Sequence, residues 1–339
     1  LLFNIYWGAK SHLTLEFFIS APEEGLTEGG IFPAIFGTAL LVIIMSLVSV
    51  PLGTVTAIYL TEYAKETSKI ARAIRFAINT LAGVPAIVFG LFGLGFFIGT
   101  IGQGIDKMEI NSRIEKIEEI LDRPEYAGKL IPAGTLAAEL SKDADYWSAQ
   151  IEALKNKAEE GKKLYSKTQL TSYIRESFSP KWGQPALIWA ALTMALLTLP
   201  VVIVSVEEAI KTVPKELREA SLALGATKFR TIMKVVLPGS ITGILTGGIL
   251  AVSRGAGEVA PILFTGAAYY LPHLPNALNS QFMELGYHIY ILTTQSTNVD
   301  QTLPLQYATT FVLLFLTFAL NFSAIFLRSK VRKKLSKLN

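Results

Sequence analysis

An all-α, polytopic membrane bundle is the fold class this sequence predicts, and three observations predict it. Hydrophobic residues make up 51% of the 339 and charged residues only 17%, too apolar a balance for an ordinary soluble domain. Five runs, near 34–60, 76–101, 186–206, 240–265 and 305–327, are long enough to cross a hydrocarbon core of about 30 Å, which needs roughly 20 apolar residues. Basic residues gather in alternate loops: Lys65, Lys69, Arg72 and Arg75 after the first run, Lys211 to Lys234 after the third, and Arg328 to Lys337 after the last. By contrast, 266–304 contains no Lys or Arg, and 1–33 contains only Lys10. The positive-inside rule then puts 61–75, 207–239 and the C-terminus on the cytoplasmic side.

The opening Leu1–Trp7 is too short to span. It reads as the tail of a helix whose start is missing, and it has neither the basic leader nor the cleavage site of a signal peptide. The first full run, 34–60, is followed by the second, 76–101, which contains Ala82-Gly83-Val84-Pro85 and then Gly90, Gly93, Gly95 and Gly99. Gly and Pro here either break the helix beside a cavity or serve flexible packing. These elements form an N-terminal membrane part, 1–103.

Residues 104–183 depart from the membrane pattern, with acids and bases interleaved from Asp106 to Glu125. Ile110, Ile114, Ile117 and Leu121 recur at amphipathic helical spacing, as do Leu136, Leu140, Trp147, Ile151, Leu154 and Ala158. Pro124 and the Pro132-Ala133-Gly134 stretch punctuate them. The expected result is an extracytoplasmic helical hairpin, either capping its neighbours or helping to dock an external protein. Long loops cross largely regardless of their charge.

The C-terminal membrane part, 184–339, holds the third run, a polar loop at 207–239 and the last two runs. Glu207-Glu208 reads as a solvated helix end. The loop contains Glu219-Ala220-Ser221-x-x-x-Gly225, on a helical stretch that Leu237-Pro238 ends where the fourth run begins. That fourth run places Arg254 and Glu258 in its middle, some 15–20 Å from either end at about 1.5 Å per residue. A charge there costs about 2.5–3.5 kcal/mol and usually faces an interior or a cavity. Gly239, Gly243, Gly247, Ala251 and Gly255 recur every four residues, a face suited to close helix packing. Arg254 and Glu258 fall within about 20° of Gly247, on that same side. Two roles suit them: an i, i+4 ion pair inside the bundle, or a site where the Arg254 guanidinium helps an oxyanion across while Glu258 balances it between passages.

Other classes of function fare worse. A net charge of +4 with no basic patch on a polar domain gives no nucleic-acid reading. Cysteine is absent, so no disulfide or thiolate metal site arises. Neither Gly128-Lys129-Leu130 nor Gly161-Lys162-Lys163 fits the Gly-x4-Gly-Lys-Ser/Thr phosphate loop of an ATPase. His12, His273 and His288 are scattered loop residues without a metalloprotease pattern, which leaves an intramembrane enzyme as a remote reading. A purely structural scaffold would not explain a mid-membrane Arg.

The Glu219–Pro238 segment resembles the "EAA" loop of ABC-importer permeases. The strings Gly37–Leu41, Ala57–Ala64, Ala82–Gly93 and Arg254–Gly266 resemble phosphate-importer permeases of the PstA type over nearly everything except 104–183. The resemblance implies a type I ABC-importer permease fold in a prokaryotic plasma membrane. It also implies a heterodimer with a sister permease subunit, surrounded by membrane lipid, an ATPase dimer that binds ATP-Mg, and an extracytoplasmic phosphate-binding protein. No cofactor is expected in this chain. The resemblance makes Glu219, Ala220, Ser221, Gly225, Leu237 and Pro238 the ATPase-docking residues, and Arg254 and Glu258 the anion pathway. Sulfate or molybdate is the rival cargo. Val204 stands where some relatives carry Arg, and the long insertion is not a general family feature.

Overall fold

The computed structural model describes residues 2–23, 28–65, 67–124, 131–132, 140, 164–165, 169, 171–172, 175–176, 178–296 and 299–335. Its chain divides into two compact units, Leu1–Phe97 with Pro185–Asn339, and Ile98–Gln184.

In the first unit, α1 (Leu2–Ala9) and α2 (Leu15–Ile19) precede the long α3 (Phe32–Ile58), which runs on into a π-helical turn at Tyr59–Tyr63. A two-residue antiparallel pair, Pro22–Glu23 with Glu28–Gly29, lies between α2 and α3. Next come α4 (Lys69–Ala82) and α5 (Ala86–Phe92), with π-helical Gly93–Gly102 after it and α6 (Gln103–Leu121) beyond. The expected second span at 76–101 is therefore wrong at its start. Gly83 ends α4, and Val84 precedes Pro85, a position that disfavours helical backbone, so a fresh helix begins at Ala86.

The chain continues through α7 (Leu187–Lys211), α8 (Lys215–Ala223), α9 (Lys228–Thr231), π-helical Ile232–Val236, α10 (Leu237–Gly255), α11 (Leu285–Thr294) and α12 (Val299–Leu335). Among the described residues, five helical stretches are long and apolar enough to cross a membrane: Phe32–Tyr63, Ala86–Leu121, Leu187–Lys211, Lys228–Gly255 and Thr302–Lys333.

Packing sorts these spans. The apolar window of Leu187–Lys211 is 67% buried and that of Thr302–Lys333 only 6%. The first is the bundle's central helix, and the second turns Phe315, Phe318, Phe322 and Phe326 outward. Leu41 and Met45 meet Phe89, Met194 and Phe282 in one core cluster, while Ala57 and Leu60 join Val202, Val206, Ile210 and Val236 in another.

The glycine stripe explains how α10 reaches the centre. A Cβ on Gly239 would meet Val213, on Gly243 it would meet Ala209, and on Gly247 it would meet Ser205. Small residues replace the hydrophobic driving force that lipid cannot supply, by letting backbones approach. Gly243→Leu is expected to force α10 off α7 and destabilise the chain by about 1–3 kcal/mol, as overpacking does. Gly95→Ala, where nothing lies within 4 Å of the added carbon, is the neutral control. Thermal unfolding of the purified chain reads both; equal midpoints would remove the stripe's structural role.

In the second unit, the face of α6 that carries Ile117 and Leu121 is buried, as the amphipathic spacing predicts, and it also buries Asp106 and Arg113. The Asp106 carboxylate accepts backbone N–H bonds from Lys181 (3.2 Å), Trp182 (3.1 Å) and Gly183 (2.6 Å). Arg113 pairs with Glu109 at 2.7 Å and lies 5.9 Å from the Phe178 ring centre. The expectation of purely helical structure fails locally, because Ile131–Pro132, read as punctuation between two helical runs, pairs antiparallel with Leu164–Tyr165. Apart from Leu140, the second expected helix of the hairpin lies outside the described residues.

Candidate functional site

The expected site residues fall in two groups, one before and within the first half of one helical stretch and the other at its C-terminal end. Lys228–Gly255 is a continuous helical stretch of 28 residues, about 42 Å long at 1.5 Å per residue. Its N-terminal end carries the polar loop, and its C-terminal end carries Arg254.

At the loop end, Glu219, Ala220 and Ser221 lie on α8. The helix closes where Gly225 takes φ +82°, a left-handed conformation that costs a residue with Cβ roughly 1–2 kcal/mol. The amides of Leu224, Gly225 and Ala226 donate back to the carbonyls of Ala220, Leu222 and Ser221. Thr227 then caps α9 by accepting from the Arg230 amide at 3.3 Å, and the Ser221 and Thr231 hydroxyls meet at 2.9 Å across the turn. This fixed turn presents Leu217, Leu222, Leu224 (89% exposed) and Phe229 (66% exposed) outward.

Leu237-Pro238 does not end the helical stretch, as the sequence suggested. The π-helical turn at Ile232–Val236 carries the helix through, and Pro238 occupies the first turn of α10. A π turn suits a position where proline removes an N–H from the ladder.

Arg254 and Glu258 are together, with Arg254 Nε 3.8 Å from Glu258 Oε1. Their setting differs from the mid-helix burial expected. α10 stops at Gly255, and 256–266 follows as turns, so Arg254 belongs to the helix's last turn. Their side chains are 39% and 30% exposed, whereas Gly247, Ala251 and Gly255 of the small-residue stripe are buried. The reason is angular drift. Each four-residue step of the stripe advances 40° around a helix of 3.6 residues per turn. By Gly255, packed on Met45 and Met194, the buried line stands 100° from Arg254. The neighbouring turn is closely held: a Cβ on Gly90 would come within 3.0–3.1 Å of the Pro261 and Ala260 carbonyls. Gly90 and Gly93, which would collide with Thr193, thus serve close packing, whereas Gly95 faces open space. Val204 on α7 is 46% exposed and apolar.

Sequence reasoning missed the ion pairs that tie the loop end together. Arg75 binds Glu207 at 2.9 Å and the Leu60 carbonyl at 3.2 Å, with Lys211 3.8 Å from the same carboxylate. Glu207 is buried, not solvated. Arg218 on α8 pairs with Glu62 at 3.2 Å and donates to the Ile210 carbonyl at 2.7 Å. Arg75 and Glu207, and Arg218 and Glu62, are far apart in sequence, so no local spacing reveals them; Lys211 and Glu207 alone stand at i, i+4.

His288 is also not a loop residue. It sits on α11, buried, with both ring nitrogens lacking a hydrogen-bond partner, and burial pushes its pKa down to about 4. One turn earlier Glu284 caps α11, accepting from the amides of Gly286 (2.9 Å) and Tyr287 (2.6 Å). Its burial raises the carboxyl to about 7 despite those N–H bonds.

Their pH effects oppose. The folded chain keeps a proton on Glu284 that the unfolded chain releases, so this term falls as pH rises from about 4.5 to about 7. The unfolded chain protonates His288 where the folded chain does not, so that term rises between about 4 and 6.5. Glu284→Gln is expected to leave the His288 term alone, giving a stability that climbs by about 3 kcal/mol across pH 4 to 6.5. Unfolding midpoints against pH check this, and a variant profile matching the parent's would contradict it.

Comparison with known proteins places the chain. Residues 49–337 match the family described as "binding-protein-dependent transport system inner membrane component". The chain is 28% identical over 242 residues to the phosphate transport system permease protein PstA 1 of Mycobacterium tuberculosis, covering 71% of this chain and 52% of that protein. Identity is 29% over 244 residues to the phosphate transport system permease protein PstA of Yersinia pestis, covering 72% and 55%. With a probable phosphate transport system permease protein PstA of Methanocaldococcus jannaschii it is 26% over 253 residues, covering 75% and 60%. The chain thus spans about half the length of the first curated relatives it matches. With the family match running from the first span to the end of α12, the chain belongs to the inner-membrane components of binding-protein-dependent transport systems.

Proposed function

We propose that this chain is the permease subunit of an ATP-driven, binding-protein-dependent phosphate importer of the type I ABC fold. The observation that carries the reading is the single helical stretch Lys228–Gly255, with a rigid docking turn at one end and Arg254 at the other. ATP-Mg is hydrolysed by a separate ATPase dimer docked on Glu219–Pro238. Because the turn and the helix are continuous, a tilt imposed by the ATPase reaches Arg254 without crossing a flexible joint.

The anion path lies beside Arg254 and Glu258, and a sister permease subunit closes it. Exposing this guanidinium to lipid would cost about 2.5–3.5 kcal/mol, so its open side needs a protein or aqueous neighbour. A forked, permanently charged donor suits a tetrahedral oxyanion. The loose contact with Glu258 lets Arg254 exchange its carboxylate for the passing phosphate and return. The docking turn and the C-terminus face the cytoplasm, and the charged insertion at 104–183 faces the extracytoplasmic side towards the phosphate-binding protein. The relatives named above as phosphate permeases favour phosphate over sulfate or molybdate.

The test is competition. Binding-protein-dependent uptake of labelled phosphate by the reconstituted complex is expected to resist excess sulfate and molybdate and to yield to unlabelled phosphate. Sulfate or molybdate competing as strongly as phosphate would sink the assignment.

A further inference from the structure

Beside the docking helix lies a cleft of about 780 Å³, outside the Arg254 pathway. Its walls are the π-helical end of the first span, the start of α4, and the junction of α7 with α8. Six basic side chains line it: Lys65, Arg72, Arg75, Lys211, Lys215 and Arg218. The acids in its lining are Glu62 and Glu219, and Glu207 stands behind Arg75.

The ion pairs decide which cations are spoken for. Glu62 holds Arg218 at 3.2 Å and Glu207 holds Arg75 at 2.9 Å. Lys211 reaches Glu207 only at 3.8 Å. Lys65, Arg72 and Lys215 form no ion pair among the described residues, and all three are exposed. Six cations against three carboxylates leave an excess of positive charge in a concave site, which concentrates anions more than a flat surface does.

Two further features narrow the ligand. The cleft sits where the first and third spans end, at the depth where lipid headgroups lie, and basic pockets between spans take phosphate headgroups. Tyr59 and Tyr63 flank the same π-helical turn, line a separate apolar groove with Val50, Ile58 and Phe229, and suit the membrane interface. We propose that the cleft is a binding site for a phosphate group, supplied by an anionic lipid headgroup or by free phosphate, held by Lys65, Arg72 and Lys215. Occupied, it ties the end of the first span and α4 to the docking helix.

Binding is read without transport, so failure here leaves the importer reading standing. The assembled complex is placed in phosphatidylcholine nanodiscs, with and without phosphatidylglycerol. Native mass spectrometry counts the phosphatidylglycerol retained. Calorimetric titration of inorganic phosphate into the lipid-neutral discs forms the second arm. The variant is Lys65→Gln, Arg72→Gln and Lys215→Gln combined. Its control removes equal charge from α12, by Arg328→Gln, Lys330→Gln and Arg332→Gln.

Each basic group near an anionic surface contributes about fivefold. The cleft variant is therefore expected to bind about a hundredfold more weakly, with its unfolding midpoint kept and the control near the parent. Loss confined to phosphatidylglycerol identifies the source as lipid; loss confined to inorganic phosphate identifies it as the free ion. Four results would overturn the proposal: neither probe binds the parent, both triple variants lose binding equally, neither changes it, or the cleft variant loses only its ATPase. The last would mean that the cleft receives an acidic segment of the ATPase.

Discussion

Arg254→Gln is expected to cut binding-protein-dependent phosphate uptake by about a hundredfold while the complex still assembles. Gln keeps a polar side chain of similar reach but removes the charge and the forked donor pair. Hydrogen bonds from a charged donor are worth about 1.5–3 kcal/mol, and about 3 kcal/mol is a hundredfold in rate. Arg254→Lys keeps the charge without the fork and should fall between Gln and the parent. The exposure of Arg254, 39% with a contact no shorter than 3.8 Å to Glu258, is what predicts intact assembly, since little of the fold leans on it. Initial uptake rates and size-exclusion profiles measured on the same preparations check both halves. A variant that fails to assemble would instead assign the pair a structural role, and parent-like uptake would remove Arg254 from the pathway.

Leu224→Asp combined with Phe229→Asp is expected to abolish ATPase docking. These side chains are 89% and 66% exposed on a turn that hydrogen bonds and Gly225 hold in one shape. Apolar side chains displayed so openly are anchors in need of a partner pocket, and anchors of this kind carry at least about 2 kcal/mol each. The double change should weaken ATPase retention by roughly a thousandfold if the two add. The chain's own unfolding midpoint should stay nearly put, because both side chains are mostly exposed. Co-purification and binding-protein-stimulated ATP hydrolysis read the outcome. Unchanged stimulation would move the docking surface elsewhere.

Much of the architecture was legible because apolar run length and residue spacing are local. The spans beginning near 34, 186 and 305 and the glycine stripe through Gly243 and Gly247 all follow from runs or periods readable along the chain. The start of the second span was not, because Phe76–Ala82 is apolar enough to look continuous with Ala86, and only Val84-Pro85 stops it. The end of α10 was hidden in the same way: Ala256–Gly266 is as apolar as a helix, but it turns. That error put Arg254 in the middle of a helix, whereas it lies in the last turn of α10.

The break at Gly225 was not read from the sequence, which placed Glu219 to Gly225 on one helical stretch; α8 instead ends at Ala223 and Gly225 turns left-handed. The ion pairs bracing the turn were not read either, because Arg75 meets Glu207 and Arg218 meets Glu62 across separate spans. His288 looked like a loop residue because the ten-residue α11 is too short to announce itself by period.

The most direct measurement of the importer account is labelled phosphate entering proteoliposomes that hold this chain, its sister permease and the ATPase. The binding protein is outside, and either ATP or a non-hydrolysable analogue is trapped within. Concentrative uptake is expected with ATP and the binding protein, and none when either is withheld. Equal phosphate flux with the analogue, or through this chain without its ATPase, would contradict it.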